Sequence, residues 1–232
     1  MALNDVKEIT IPEGSVKKIE DSNGNIIWGS QSAFPYRRLE YIHFSGAEYF
    51  DSGYQPTSTT QITMNLNITS GGYNGKGYMG ARNRYAIGLD NSNWFFGIGN
   101  WINTTIRAVD GNFHTVSIRP NGFSTNVGYK IDNASWVNPG NVSFVNGGRG
   151  NIYIGASNSD TGAGSYTQQD VKSVQLIENT TTVRNLLPCQ RKSDSVCGMY
   201  DTINNVFYPL NGTNITSGAA GPIVNEYWDG TL

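Results

Sequence analysis

The chain has 232 residues, with 28 glycines, 12% aromatic and only 15% charged side chains. That is enough length for one substantial core, and the absence of any heptad pattern excludes a helical bundle. A formal net charge of −2 without a basic run removes the counterion release that drives nucleic-acid binding, so no nucleic-acid partner is expected. No apolar stretch approaches the roughly 18 to 20 residues that span a bilayer, and Met1-Ala2-Leu3-Asn4-Asp5 lacks the basic and apolar regions of a signal peptide, so a soluble product of a cytoplasm with no membrane insertion is expected.

In chain order, residues 1–30 form a unit of their own. Residues 6–11 alternate as a strand, Pro12-Glu13-Gly14 is a turn, 16–19 is a second strand, and Ser22-Asn23-Gly24-Asn25 feeds a third at 26–28. Asn-Gly between two apolar runs is a strong hairpin signal. Thirty residues bury too little surface to be stable alone, so Ile9, Ile11, Ile19, Ile27 and Trp28 must pack on the main domain or on another protein. Residues 31–36 follow as a flexible linker. From 37 to 222 short alternating runs recur, at 39–44, 48–54, 62–68, 85–89, 127–131, 152–155 and 171–177. Among them Asp110-Gly111-Asn112 turns into a strand over 113–118 that is stopped by Arg119-Pro120-Asn121-Gly122. Such a chain predicts a two-sheet antiparallel sandwich with one central strand at 113–118, leaving 223–232 as a C-terminal tail.

Several of these segments, in order, resemble a known family. Leu39-Glu40-Tyr41-Ile42, Tyr49-Phe50-Asp51-Ser52-Gly53-Tyr54, Tyr78-Met79-Gly80-Ala81-Arg82 and Asp110-Gly111-Asn112-Phe113-His114-Thr115-Val116 are similar to the concanavalin A-like (laminin-G-like) jelly-roll modules of bacteriophage and gut-bacterial surface proteins. Val183-Arg184-Asn185-Leu186-Leu187-Pro188-Cys189, Ser193-Asp194, and Gly198-Met199-Tyr200-Asp201 with Val206-Phe207-Tyr208 look like that family's closing strands. The 11–28 segment resembles the leader ahead of such modules in phage structural proteins. The resemblance implies an all-β jelly-roll sandwich preceded by a small N-terminal β-arm. It also implies a non-enzymatic virion surface protein, such as a head fibre, capsid decoration or tail-associated protein. Residues 1–30 would join other virion proteins or form a homo-oligomer, a trimer being favoured, and the jelly roll would be displayed for adhesion to host-surface glycan. A free lectin module and a glycoside hydrolase with displaced carboxylates are the alternatives.

The glucanases of this fold need a Glu-x-Asp-x-x-Glu run that sets acid and nucleophile across the scissile bond. No such run exists. Glu48 and Asp51 fall on opposite faces of an ideal strand, and Glu226 and Asp229 sit in the tail. His114 follows Asp110 closely enough for a general-base couple, or else, as the resemblance to laminin-G-like modules implies, is a structural His at a strand end, and no Ser or Cys stands as its nucleophile. The ligand surface is expected over 90–104, where Asn91, Asn93, Trp101 and Asn103 combine amides with a stacking ring, joined by Tyr166 from the Gly/Ser loop at 158–166. A hairpin tip at Gly97-Ile98-Gly99-Asn100 would set Trp94 and Trp101 near-opposite on one face, Trp101 as a platform and Trp94 leading into the core. No cofactor is expected. Calcium would have Asp90, Asn91, Asp132 and Asn133 as its oxygen ligands. Cys189 and Cys197, across a turn at 192–195, are expected as reduced, half-buried thiols on facing strands. Met199, Tyr200, Val206 and Phe207 are expected to bury.

Overall fold

The computed structural model describes residues 18–20, 26–29, 34–71, 76–81, 85–140, 144, 150–159, 162–225 and 228. The chain runs through β1 (Lys18–Glu20), β2 (Ile26–Gly29), β3 (Tyr36–Leu39), β4 (Ile42–Ser45), β5 (Phe50–Asp51), β6 (Thr60–Gly71) and β7 (Lys76–Ala81). It continues through β8 (Tyr85–Asp90), β9 (Asn93–Ile98), β10 (Asn100–Arg107), β11 (His114–Arg119), β12 (Gly128–Ile131), β13 (Tyr153–Ile154), β14 (Ser157–Ser159) and β15 (Gly162–Gly164). The closing strands are β16 (Thr167–Glu178), β17 (Thr181–Arg191), β18 (Cys197–Asp201), β19 (Val206–Pro209) and β20 (Ile223–Asn225). The protein is all-β, a two-sheet antiparallel sandwich of the expected class. The front sheet follows the order β10-β9-β8-β7-β13-β5, and the back sheet follows β12-β11-β6-β16-β17-β18-β19.

Alternation explains the packing, because successive strand residues face opposite sides of a sheet. On the front sheet Met79, Tyr85, Ile87, Leu89, Trp94, Phe96 and Ile98 point inward and are buried. From the back sheet they meet Ile62, Met64, Leu66, Val116, Ile118, Val174 and Leu176 in one continuous core. Each such side chain contributes about 1.5 to 3 kcal/mol by leaving water. The 113–118 strand is interior as expected, since β11 pairs with β6 on one side and β12 on the other.

At the N-terminus β1 and β2 pair antiparallel as a hairpin with Ile19 opposite Trp28, in a two-stranded sheet of their own. Ile19, Ile27 and Trp28 fall in this hairpin, whereas the strand expected at 6–11, with Ile9 and Ile11, lies outside the described residues.

Four expectations are corrected. The linker drawn over 31–36 ends earlier, because Tyr36 opens β3 and pairs with Arg191, and Phe34 packs edge-on against Tyr36 at 5.2 Å and Tyr200 at 5.0 Å. The tail drawn over 223–232 is partly built into the fold. Ile223–Asn225 pairs with β3, and Trp228 is buried among Phe34, Tyr36 and Tyr200 in a second apolar cluster. Of the closing residues Met199 and Tyr200 are buried, but Val206 is 41% exposed and Phe207 half-buried, because β19 is an edge strand. Cys189 and Cys197 are free and fully buried on paired strands; Gln190, not Cys189, lies opposite Cys197, so the thiols project to opposite faces. Burial pushes both thiols up, Cys197 to about 11, so neither is a ready nucleophile.

Candidate functional site

The candidate site is the outer face of the β8-β9-β10 meander. Asn91 and Ser92 connect β8 to β9 with φ of 49° and 69°. That is the left-handed pair of a tight hairpin, which Asn tolerates well. The second turn is tighter than the sequence suggests: Ile98 pairs with Asn100 around Gly99 alone, whose φ is 80°. With the tip at one residue, Trp101 lies opposite Gly97 rather than Trp94. Because side chains alternate with period 2, an odd shift of register, here from Trp94 to Gly97, moves a side chain to the other face. The expected same-face pair of tryptophans is therefore corrected: Trp94 is fully buried on the inner face, and Trp101 stands 42% exposed on the outer one.

Because Gly97 offers no side chain opposite it, the Trp101 indole lies down across the sheet. It stacks on Phe95 with centroids 4.9 Å apart at 26° and tilts against Tyr78 at 5.3 Å. Tyr78 and Phe95 oppose one another across Gly88, their rings 6.0 Å apart. A Cβ on Gly88 would come within 2.1 Å of the Gly77 carbonyl oxygen and 2.5 Å of Tyr78 Cα, so a larger residue cannot hold this floor. Tyr78, Leu89, Asp90, Phe95, Trp101 and Asn103 line an open cleft of about 310 Å³. Asn103, two residues along β10 from Trp101 and opposite Phe95, shares its face. The cleft thus offers an apolar aromatic wall beside one carboxylate and one amide, the pairing that grips a ring with one apolar face and polar edges.

Of the residues singled out in the sequence, Trp101 and Asn103 are brought together here. Asn91 is exposed in the β8-β9 turn and Asn93 half-buried at the start of β9, both outside the cleft lining. Tyr166 stands elsewhere, edge-on to Tyr49 at 6.5 Å, and Tyr49 in turn stacks on Tyr153 at 4.8 Å. The 158–166 loop is itself largely the β14-β15 hairpin. Asp90 and Phe95 fall within the expected 90–104 surface without being singled out as its contacts, and Tyr78 lies outside it altogether. The signal for Tyr78 and Phe95 is the outward succession of aromatics and glycines, Tyr78 with Gly88 and Phe95 with Gly97, which becomes visible only once strands are paired.

Among the described residues, the other acids and histidine considered from the sequence have structural partners, while Glu226 and Asp229 lie outside the described residues. His114 Nδ1 meets Asp132 Oδ2 at 2.7 Å and Nε2 meets Asp110 at 3.1 Å, with Trp94 edge-on to the ring at 5.8 Å. Burial opposes charging this imidazole, but the hydrogen bonds to Asp132 and Asp110 outweigh it and raise its pKa. With both ring nitrogens held, His114 is a clasp between β11 and the Asp110 and Asp132 turns, not an available base. Glu48 is fully buried and accepts from Ser45 N at 2.7 Å, Ser45 Oγ and Asn214 N. Asp51 accepts from Gly53 N and Asn151. The four oxygen ligands considered for calcium are divided: Asp90 lines the front cleft, and Asp132 and Asn133 line a groove on the back sheet. Among the described residues no group of three or more His, Cys, Asp or Glu side chains converges to hold a metal ion. No protein-family model, curated protein or solved structure matches this chain.

Proposed function

We propose that this protein is a non-enzymatic bacteriophage virion surface protein whose sandwich binds host-surface glycan through the Trp101 cleft. The observation that carries the glycan reading is the aromatic wall of Trp101, Phe95 and Tyr78 laid against Asp90 and Asn103 in an open, solvent-facing cleft. A pyranose has an apolar face of C–H groups that stacks on such a wall, while its hydroxyls reach a carboxylate and an amide at the edge. Binding without hydrolysis is favoured because Asp90 is the one carboxylate lining the cleft among the described residues, and glycoside hydrolysis ordinarily needs two carboxyl groups flanking the bond. The virion role is supported by the resemblance of the 11–28 leader and of the closing strands to phage surface modules. Residues 1–30 would then join other virion proteins or a homo-oligomeric, trimeric stalk.

The test is glycan-array and host-cell binding of the full chain against Trp101→Ala, with melting of both. Loss of binding in a variant that still melts cooperatively supports the cleft as the recognition surface. Undiminished binding by Trp101→Ala would overturn it.

A further inference from the structure

A second groove lies on the outer face of the back sheet. Its floor is a cross-strand row in which Thr63 of β6 opposes both Ser117 of β11 and Gln175 of β16, and Ser117 opposes Lys130 of β12. The groove is open and measures about 510 Å³.

Arg119 stands at one end, its guanidinium between two rings, 4.9 Å from the centroid of Phe123 and 4.7 Å from that of Trp136. Its Nε donates to Gln61 Oε1; Gln61 Nε2 donates to Thr63 Oγ1 at 2.7 Å, and Thr63 and Ser117 share a hydrogen bond of 2.8 Å. This chain of bonds and the aromatic clamp fix the guanidinium in place before anything binds. Its two terminal nitrogens donate to no acceptor and face no carboxylate among the described residues, and the Lys130 ammonium likewise has no partner. The nearest acid in the lining, Asp132, is already engaged by His114 Nδ1 and by the Thr115 N–H. Two unpaired cations in a half-buried, hydroxyl-floored groove are an unusual arrangement on a chain whose net charge is −2.

We propose that this groove binds a carboxylated sugar, of the uronic or sialic acid class, with its carboxylate on Arg119 and Lys130. A guanidinium offers a planar fork that matches a carboxylate, and the hydroxyls and amides of the floor match the hydroxyls of a saccharide ring. A phosphate ligand fits less well. Phosphate sites recruit clusters of free backbone N–H groups, whereas β6 and β11 are interior strands whose amides are spent on the ladders. The groove is independent of the Trp101 cleft, which lies on the other sheet, so either site can fail without the other.

The experiment is a titration of the full chain with sodium D-glucuronate and N-acetylneuraminate, with D-glucose and sodium sulfate as controls, followed by amide, indole and guanidinium Nε–H correlation spectra. The expected result is saturable shifts at Trp136, Arg119 and Lys130 with a carboxylated sugar and none with glucose. Lys130→Gln removes an ammonium that makes no hydrogen bond or ion pair among the described residues and keeps most of the stem, so its fold is expected to be intact and its affinity several-fold weaker. Arg119→Gln should lose about tenfold or more, the scale of one charge-assisted pair. Trp101→Ala should leave these shifts unchanged. Equal response to glucose, equal response to sulfate alone, shifts confined to the Trp101 cleft, or full affinity in a folded Lys130→Gln would each overturn the proposal.

Discussion

Two tryptophans seven positions apart show how much an odd shift of register decides. Trp94 is fully enclosed on the inner face, beside Phe96 at 6.3 Å. Trp94→Ala should therefore cost about 3 to 5 kcal/mol in denaturant unfolding. Trp101 keeps 42% of its surface in water, so Trp101→Ala should cost only about 1 kcal/mol. Equal losses would show Trp101 to be a packing residue. His114 yields a second prediction at this scale. Its pKa is raised in the folded protein against the opposing effect of burial, by bonds to Asp132 and Asp110. The stability it contributes is fully present below its unfolded value of about 6.5 and is lost as pH rises through the higher folded value. The stability difference between wild type and His114→Gln, followed by urea unfolding, should shrink as pH is raised from about 6 to 8. A difference that grows over this window would contradict the clasp.

At the scale of elements, the closing strands divide their load unevenly. Gly198-Met199-Tyr200-Asp201 is the buried half, and Asp201 ties the hairpin together by accepting from the N–H groups of Asn185 and Ile203 and from Asn204 Nδ2. The β19 half is an edge, and Phe207 is covered on one side by Tyr36 at 4.7 Å and by Arg191 at 5.3 Å. Phe207→Ala should thus cost about 1 to 2 kcal/mol rather than the 3 to 5 of an enclosed ring. Trp228 is the opposite case. It is 3% exposed, edge-on to Phe34 and Tyr200 at 5.4 Å each, with the Arg38 guanidinium 5.6 Å above it. Trp228→Ala should cost about 3 to 5 kcal/mol by thermal or chemical melting, and a neutral result would remove the C-terminal segment from the core.

For the whole molecule, the continuous core among the described residues draws on Leu39 and later positions, and the backbones of β1 and β2 pair as a two-stranded sheet. Thirty residues bury too little surface to carry a fold of this size, so deleting residues 1–30 should leave a sandwich that melts within a couple of degrees of the full chain. Under the proposed function, the same deletion should abolish incorporation into the particle, read by microscopy or by co-sedimentation. A deletion that unfolds the sandwich would make the arm part of its core.

The sequence alone determined that this protein is an antiparallel sandwich, because period-2 alternation is a local property: 62–68, 85–89 and 113–118 each declare an inner and an outer face without reference to any other segment. It also marked Trp101 as the exposed ring and Asn103 as its neighbour, since Asn100 and Asn103 surround Trp101 with polar side chains while Trp94 runs into Phe95-Phe96. Only the tertiary structure decided which residues share a site. Tyr78 reaches Trp101 through two strand pairings across Gly88 and Gly97, Trp228 closes on Phe34 from nearly 200 residues away, and β3 pairs with β17. The reason is physical. Alternation is written into neighbouring residues, but register is set by turn geometry such as the single Gly99 tip and by packing between distant strands, and one step of register exchanges the wall of a cleft for the core.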